Sequence, residues 1–271
     1  MRIPTSTSSC AIGRGRTGRK NGTCFNKSEL TVLATHLGLI SNKNESGESL
    51  YHKISVKLHG IPETEWVNTV IKSKSEKEKY DSMETMVFKP TLIHKGTWSW
   101  LTDTDILLLM KQYEHYFNSK KKKSRRRPFE FYGVFSSDFF KLFPRKRLEI
   151  KKLLDKGHSI GLVFNLDPHN LPGSHWVGVY MYKNKGNVVA EYFDSYGDHP
   201  IKNIDLFLKY FTNKYKYNHI PHQKKNGVCG IYAINFILSR LYGMSFATYN
   251  RKLIPDDQVN SLRFTYFRVK S

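Results

Sequence analysis

The sequence predicts an α+β fold with a central mixed sheet flanked by helices. Segments rich in β-branched and aromatic residues are typical of strands, and they cover Ser159–Leu166, His175–Tyr182 and Val188–Phe193. Helical segments surround them without the regular strand–helix alternation of an α/β protein. Residues Cys229–Gly243 are apolar on most faces of a helix, which predicts that this helix is central and buried.

The first third of the chain predicts a less regular region. Residues 1–27 are basic and rich in Ser, Gly and Thr, so we expect a flexible arm. A helix follows with Ser28 as its N-cap, apolar residues at helical spacing and Gly38 after its end. Residues 28–89 are therefore interpreted as a mostly helical accessory region, and residues 90–271 as the main domain.

The main domain is predicted to begin with a capped helix. Trp98–Asp103 leads into a helix over residues 104–117, with Thr102 or Asp103 as its cap. Two further helices are predicted over residues 144–156 and 204–217. Between the second and third strands, the polar residues Lys183–Gly186 predict a four-residue turn.

Composition excludes several classes of protein. The 271 residues are 39% hydrophobic and 14% aromatic, which is too apolar for a disordered chain and sufficient for a core. The net charge of +21 favours a polyanionic partner, either nucleic acid or an anionic surface. No stretch resembles a signal peptide, and the most apolar run, Ile106–Met110, is too short to span a bilayer. We therefore expect no membrane partner.

Three cysteines are too few and too scattered for a disulfide framework, which favours a reducing compartment. Cys10 and Cys24 lack two further Cys or His ligands at suitable spacing, so no metal site is predicted. Cys229 differs from them because it opens the buried helix. The positive end of the helix dipole favours its nucleophilic thiolate form, and Gly230 beside it leaves room for a substrate. The structural alternative is a buried, inert cysteine.

A histidine and a carboxylate accompany this cysteine. With a four-residue turn at 183–186, His175 and Asp194 lie directly opposite each other in a hairpin, with Cβ atoms about 5 Å apart. A carboxylate so placed can orient an imidazole and stabilise its charged form. Gln223, six residues before Cys229, can donate an amide hydrogen to an oxyanion, together with the backbone N–H of Cys229. Each residue taken singly also has a structural alternative: an exposed strand end for His175, a turn for Asp194 and a solvated loop for Gln223.

The ordered set of His-Trp, Phe-Asp-Ser, Gln and Cys-Gly resembles the adenain/SUMO-protease class of cysteine proteases. Within this class the chain is most similar to the viral maturation proteases of adenovirus, African swine fever virus, virophages and giant viruses. Trp100-Leu101-Thr102-Asp103 resembles the Trp-Leu-x-Asp element at the head of the catalytic domain in this class. The resemblance covers residues 90–271 and implies a papain-like, adenain-like core.

The resemblance also implies roles. His175 is the expected general base, Cys229 the nucleophile, Asp194 the orienting acid and Gln223 part of the oxyanion hole. Trp176 is expected to form a wall of a narrow channel that selects glycine beside the cut bond, bordered by Trp100 and Asp103. The implied substrates are viral capsid and core precursors, cut after glycine-containing motifs. The sequence predicts no cofactor for the catalytic step and leaves activation by DNA or a peptide open. The implied location is the virion and the virus factory in the host cytoplasm, with the nucleus as an alternative.

A basic run is the last candidate site. It has seven basic residues in eight, namely Lys120, Lys121, Lys122, Lys123, Arg125, Arg126 and Arg127. It fits a clamp on double-stranded DNA, a nuclear-localisation signal, a site for acidic substrate segments or a solvated loop. Phe129, Phe131 and Tyr132 nearby suit the core better than base stacking. Two other functions stay open: a deconjugase for a ubiquitin-like protein, and a DNA-binding structural protein on a protease-like fold.

Overall fold

The computed structural model describes Ile3 and residues 9–14, 22–40, 44–92, 98–120 and 126–269. The chain divides into two compact units, one of residues 5–90 and the other of residues 1–4 and 91–271. Each unit has its own cluster of buried apolar side chains. None of the described helices is long and apolar enough to cross a membrane.

The first unit is helical. Its helices are α1 (Lys27–His36), α2 (Gly47–Lys57), α3 (Trp66–Val70) and α4 (Lys74–Val87), with a 3-10 turn at Glu63–Glu65. The N-cap of α1 is Asn26 instead of the predicted Ser28. Asn26 Oδ1 accepts from the Glu29 N–H, and the Glu29 carboxylate accepts from the Asn26 N–H, which together form a capping box. Helix α2 was not predicted, because its sequence is polar.

Part of the expected flexible arm is packed into this unit. Cys10, Cys24 and Phe25 are buried in its apolar cluster, and Cys10 forms a β-bridge with Phe88. Cys10 and Cys24 are joined by a disulfide, with Cα atoms 5.3 Å apart. This single bridge was not predicted, because three scattered cysteines predicted no disulfide framework. Neither thiol remains as a metal ligand.

The second unit is built on a mixed five-stranded sheet, which confirms the α+β prediction. Its strands, in spatial order, are β2 (Phe129–Ser136), β3 (Ser159–Asn165), β4 (Trp176–Asn184), β5 (Asn187–Phe193) and β6 (Lys216–Tyr217). The two outer pairs are parallel and the inner pairs are antiparallel. Strands β1 (Thr91–Leu92) and β7 (Arg268–Val269) form a separate parallel pair. Buried Phe129 and Phe131 in β2 confirm the interpretation of these aromatics as core residues.

The described residues of this unit form seven helices. They are α5 (Asp103–Lys120), α6 (Phe139–Leu142), α7 (Lys146–Asp155), α8 (Lys202–Phe211), α9 (Cys229–Leu241), α10 (Phe246–Arg251) and α11 (Asp256–Tyr266). Helix α5 begins at the predicted cap, because Thr102 Oγ1 accepts from the Asp105 N–H and Asp105 Oδ2 accepts from the Thr102 N–H. Helix α8 ends six residues earlier than predicted, and the short edge strand β6 follows it.

The helices cover both faces of the sheet. On one face, side chains such as Leu162 and Val179 pack with Ile150 of α7 and Phe207 of α8. Side chains alternate along a strand, so the intervening residues face α9. Gly178 lets α9 come close, because a Cβ there would lie 3.0 Å from Phe236. Coverage on both faces explains why β3 is buried along its whole length.

Candidate active site

Cys229 is the first residue of α9, with Val228 as its N-cap. Its own N–H is one of the donors that the first turn of a helix leaves without an intrahelical partner. The thiol is buried, and Cys229 is the free cysteine of the chain. The structure thus places a free thiol at the positive end of the most buried helix, as the sequence predicted.

His175 and Asp194 meet at the end of the neighbouring hairpin. His175 directly precedes β4, and Asp194 directly follows β5. His175 Nε2 donates to Asp194 Oδ1 over 2.7 Å, and both residues are buried. The Cys229 side chain lies close enough to the imidazole to influence its pKa. Because Nε2 is engaged by Asp194, Nδ1 is the ring nitrogen that remains for the thiol.

The electrostatics of this group favour a charged imidazole. Burial alone would lower the pKa of His175. Hydrogen bonds with Asp194 and Cys229, together with their negative charges, outweigh burial and raise this pKa to about 9. An imidazole with such a pKa is protonated near pH 7, and the site therefore suits an imidazolium between a carboxylate and a sulfur.

The hairpin turn is shorter than predicted. Asn184 pairs with Asn187, so the turn contains only Lys185 and Gly186. Both have positive φ angles, 48° and 83°, which is typical of a type I′ turn. Lys185 gave no signal for this turn, since residues other than Gly, Asn and Asp seldom adopt positive φ.

This turn shifts the register by two residues. Continued past the last pair, Gly178 with Phe193, the register places Tyr196 opposite His175. The prediction that His175 and Asp194 lie directly opposite is therefore wrong. A shift of two residues keeps the same face of the sheet, so the long imidazole reaches Asp194 diagonally.

Asp194 is held by its neighbours. Its N–H donates to Asn218 Oδ1 over 2.8 Å, and its Oδ1 also accepts from the Tyr196 N–H over 2.8 Å. Asn218 is completely buried. No sequence signal singled out Asn218, because its role depends on how a loop packs against the end of β5.

The Gln223 carboxamide has a fixed orientation. Its Oε1 accepts from Ser195 Oγ over 2.7 Å. Its Nε2 donates to Lys225 O over 2.7 Å and to the Tyr196 hydroxyl over 3.1 Å. Ser195 O also accepts from the Gln223 N–H. The turn that carries Asp194 thus positions Gln223, a link that sequence analysis missed.

Two side chains of α11 form hydrogen bonds with the backbone of the loop before Cys229. Asp256 Oδ2 accepts from the N–H groups of Lys224 and Lys225 over 2.9 and 2.8 Å. The buried Arg263 donates to Gly227 O over 3.1 Å. Asp256 and Arg263 are positioning residues that sequence reasoning missed, since both lie in α11, far along the chain.

A cleft of about 670 Å³ contains Trp100, Asp103 and Trp176 in its lining, and Trp176 directly follows His175 in the chain. Trp176 Nε1 donates to Leu101 O over 2.9 Å, which fixes the indole.

Gly230 has a different role from the predicted one. It is buried, and a Cβ there would lie 3.2 Å from Leu101 and 3.3 Å from Trp176. The absence of a side chain at Gly230 therefore lets Leu101 and Trp176 pack closely against the start of α9. These two residues occupy the space that was predicted to be open to a substrate.

The predicted basic site is only partly visible. Lys121, Lys122, Lys123 and Arg125 lie outside the described residues, and Lys120 is the last residue of α5. The guanidinium groups of Arg126 and Arg127 lie over the rings of Phe117 and Tyr182, at 5.8 and 5.2 Å from the centroids. A nucleic-acid role stays a prediction. Within the described ranges, no three His, Cys, Asp or Glu residues are grouped as metal ligands.

Comparison with known proteins gives several matches. Residues 99–270 match the family model of the Ulp1 protease family, C-terminal catalytic domain. The chain is 28% identical over 291 aligned positions to R355 of Acanthamoeba polyphaga mimivirus, whose name assigns it to the thiol proteases. That match covers 94% of this chain and 92% of the relative. The chain is also 26% identical over 122 positions to the cysteine protease S273R of African swine fever virus, covering 41% of this chain and 45% of the relative.

The fold has a solved counterpart. The crystal structure of the African swine fever virus pS273R protease superposes with a TM-score of 0.59 at 20% identity, covering 99% of this chain and 98% of the other. The likeness in structure supports the same fold, and the family model spans the sheet, α9 and the whole hydrogen-bonded group around Cys229. The chain belongs to the Ulp1 protease family of cysteine proteases.

Proposed function

We propose that the chain is a cysteine endopeptidase that cuts viral capsid and core precursors after glycine-containing motifs during virion maturation. In this proposal Cys229 is the nucleophile, His175 the general base and acid, and Asp194 the residue that orients the imidazole. The observation that carries the proposal is the buried hydrogen bond between Asp194 and His175, with the free thiol of Cys229 close enough to raise the pKa of the same imidazole.

The chemistry follows the usual two steps of thiol proteases. The Cys229 thiolate attacks the scissile carbonyl carbon, and the imidazolium of His175 gives its proton to the leaving amine as the peptide C–N bond breaks. The product is a thioester on Cys229. Neutral His175 then takes a proton from water, whose oxygen attacks the thioester carbon. The C–S bond breaks, which releases the acid and restores the Cys229 thiolate beside the His175 imidazolium.

The oxyanion hole in this proposal uses Gln223 Nε2 and the Cys229 N–H. Both amide hydrogens of Gln223 have acceptors, Lys225 O and the Tyr196 hydroxyl. The bond to the Tyr196 hydroxyl is the longer of the two, at 3.1 Å against 2.7 Å, and the Tyr196 side chain is exposed. We therefore expect an oxyanion to replace this hydroxyl as the acceptor.

The preference for glycine rests on the cleft walls. The indole of Trp176 is held against Leu101 and the start of α9, and Trp100 lines the same cleft. In this proposal, a side chain larger than that of glycine beside the cut bond would clash with these indoles. Trp100 and Trp176 are the residues to which we assign this selection, with Asp103 at the border of the cleft.

The test is cleavage of quenched fluorescent peptides that contain an internal Gly-Gly-Xaa sequence, with Ala-Ala-Xaa peptides as matched controls. We expect the wild type to cut after glycine, and Cys229→Ala to have no activity. Co-expression with capsid precursors from the same genome, followed by intact mass measurement, then identifies the natural sites. Failure to cut either peptides or precursors, with and without added DNA, would contradict the proposal.

A deconjugase is the second candidate. Some African swine fever virus relatives bear the name SUMO-1 cysteine protease. The discriminating substrate is a folded SUMO conjugate presented beside the Gly-Gly peptide. Faster hydrolysis of the conjugate, lost when its folded domain is removed, would favour the deconjugase, because only that activity needs a surface for the folded modifier.

DNA binding and location complete the proposal. Arg126 and Arg127 are exposed, and the net charge of +21 favours contact with packaged double-stranded DNA. We propose that the protein works in the virion and in the cytoplasmic virus factory. Arg126→Glu/Arg127→Glu is expected to weaken duplex binding in a salt-dependent manner, and fluorescence anisotropy with labelled DNA measures this effect. Unchanged binding would remove these residues from the proposal and leave DNA binding without an assigned site.

A further inference from the structure

An exposed surface with both basic and apolar side chains lies on α6, α7 and the residues between them. We call it the basic apolar face, and it consists of Lys141, Leu142, Phe143, Arg145, Leu148, Lys151 and Lys152. Three of these are large apolar residues in contact with solvent. Leu142, Phe143 and Leu148 are 49%, 53% and 49% exposed. Clustered apolar exposure of this kind marks interaction surfaces in folded proteins.

The outward direction of Leu148 follows from the geometry of α7. The helix buries Ile150 and Leu154 in the core. Leu148 is about 200° around the helix from Ile150 at 3.6 residues per turn, so it points away from the core. Lys151 and Lys152 lie three and four residues later, on the same outward side. An apolar side chain therefore stands among cations on the solvent side of α7.

The segment is strongly positive. Residues 141–156 contain seven basic and two acidic residues. The acidic pair is already engaged: Glu149 accepts from the Tyr132 hydroxyl and pairs with Lys146, and Asp155 pairs with Lys183. Because seven basic residues stand against these two carboxylates, the segment presents a net positive charge to solvent.

The neighbouring helix extends the apolar part. Arg147 lies over the ring of Tyr210 in α8, at 4.8 Å from the centroid. Leu206, one helical turn before Tyr210, is 53% exposed. The two helices together therefore present apolar side chains over a broad area, bordered by lysines and arginines.

We propose that the basic apolar face docks on the surface of an anionic lipid bilayer. Lysine and arginine side chains attract acidic headgroups, and leucine and phenylalanine side chains insert at the boundary with the acyl chains. Nucleic acid would satisfy the charge but offers no apolar phase for Leu142, Phe143 and Leu148. Surface docking needs no spanning helix, so this proposal departs from the expectation of no membrane partner, which considered only spanning segments.

The docked orientation leaves the catalytic helix accessible. Helices α6, α7 and α8 pack on the face of the sheet opposite to α9, and Cys229 opens α9. A bilayer against α7 therefore does not cover α9. Lipid-bound protein is expected to keep its peptidase activity.

The test is co-sedimentation of the full chain with vesicles. One set contains phosphatidylcholine alone, and the other contains about 30% phosphatidylserine. We expect binding only to the second set, with a loss as salt rises from about 0.05 to 0.5 M. Lys151→Glu/Lys152→Glu and Leu148→Ser are each expected to reduce vesicle binding at least tenfold while far-UV circular dichroism stays unchanged.

Matched controls lie on the α9 side of the sheet. Helix α10 packs against α9 through Phe246 and Tyr249. Arg251, its last residue, is exposed, and so are Lys252 and Leu253 after it. Arg251→Glu/Lys252→Glu and Leu253→Ser make the same chemical changes there and should leave vesicle binding intact. Three outcomes would overturn the proposal. They are equal losses of vesicle binding in the α7 variants and in the control variants, full vesicle binding by Leu148→Ser, and a Lys151→Glu/Lys152→Glu defect that affects duplex DNA binding alone.

Discussion

The ring of Tyr196 lies against the imidazole of His175, with centroids 4.8 Å apart and planes inclined by 26°. The hydroxyl of the same side chain donates to Asn226 Oδ1 and accepts from Gln223 Nε2. Its backbone N–H donates to the Asp194 oxygen that binds His175. Tyr196 thus connects the proposed base, the proposed oxyanion donor and the orienting carboxylate.

This contact predicts separate effects for the ring and the hydroxyl. Tyr196→Phe keeps the stacked ring and loses hydrogen bonds of about 1 kcal/mol each, so kcat/KM should change by about fivefold while the pH profile stays in place. Tyr196→Ala also removes the ring beside the imidazolium, a contact of about 0.5–2 kcal/mol. The alkaline limb of the pH profile of kcat/KM for Tyr196→Ala should therefore move to lower pH. Identical pH profiles for both variants would show that the ring does not stabilise the charged imidazole.

Much of this site was predictable from local sequence. Cys229 could be placed at a buried helix terminus because its helix is apolar on most faces. His175 and Asp194 could be paired because both flank strands of one hairpin, and the two-residue error in the turn preserved the face. Tyr196 was missed because its position depends on the register that Lys185 and Gly186 set.

Other features depend on tertiary packing and left no local signal. Cys10 and Cys24 approach each other only because the chain around Cys10 pairs with Phe88. Helix α2 has a serine cap, Ser46, but it buries only Leu50 and Ile54. Two apolar residues in an otherwise polar segment give too weak a helical periodicity to predict the helix. Arg263 reaches the loop before Cys229 from a helix that lies 36 residues later in sequence.

The raised pKa of His175 gives a titration prediction. In the folded protein the imidazole should titrate near pH 9, because Asp194 and Cys229 stabilise its charged form. Asp194→Asn should lower this pKa by about one unit or more. NMR titration of labelled histidines measures both values, and His222, whose pKa is lowered by burial, serves as an internal reference. An unchanged pKa in Asp194→Asn would contradict this cause.

The same shift has a consequence for stability. The folded-state pKa lies above the unfolded value of about 6.5, so the stabilisation is complete below pH 6.5 and is lost as pH rises through about 9. Wild type should therefore lose more unfolding free energy between pH 6.5 and 9 than Asp194→Asn does, as measured by urea denaturation.

Alkylation tests the ion pair directly. Cys10 and Cys24 are bonded to each other, so iodoacetamide reports on Cys229 in the oxidised protein. If Cys229 and His175 form a thiolate–imidazolium pair, the reaction should stay fast well below pH 8.5, the approximate pKa of an ordinary thiol. His175→Ala should lose this fast reaction. Equal rates in the two proteins would exclude the ion pair.

The disulfide predicts a stability difference in the helical unit. The two cysteines are 14 residues apart, and closing a loop of about 15 residues contributes about 3 kcal/mol in the chain-entropy model. Cys10→Ser/Cys24→Ser should lose unfolding free energy of this order. Dithiothreitol should destabilise wild type and leave the double variant unchanged. A wild type insensitive to reduction would show that the bridge does not stabilise the unit.

Gly227 and Gly186 form a matched pair for testing the loop before Cys229. Both have positive φ angles, 89° and 83°, so an alanine at either position costs about 1–2 kcal/mol in the backbone. At Gly227 a Cβ would also collide with Trp98 O, whereas at Gly186 nothing lies within 4 Å. Gly227→Ala must therefore displace the loop before Cys229, to which Arg263 and Asp256 are hydrogen-bonded. We expect Gly227→Ala to reduce kcat/KM at least a hundredfold and to slow alkylation of Cys229. Gly186→Ala should lose only stability, and equal activities of the two variants would mean that the loop tolerates the displacement.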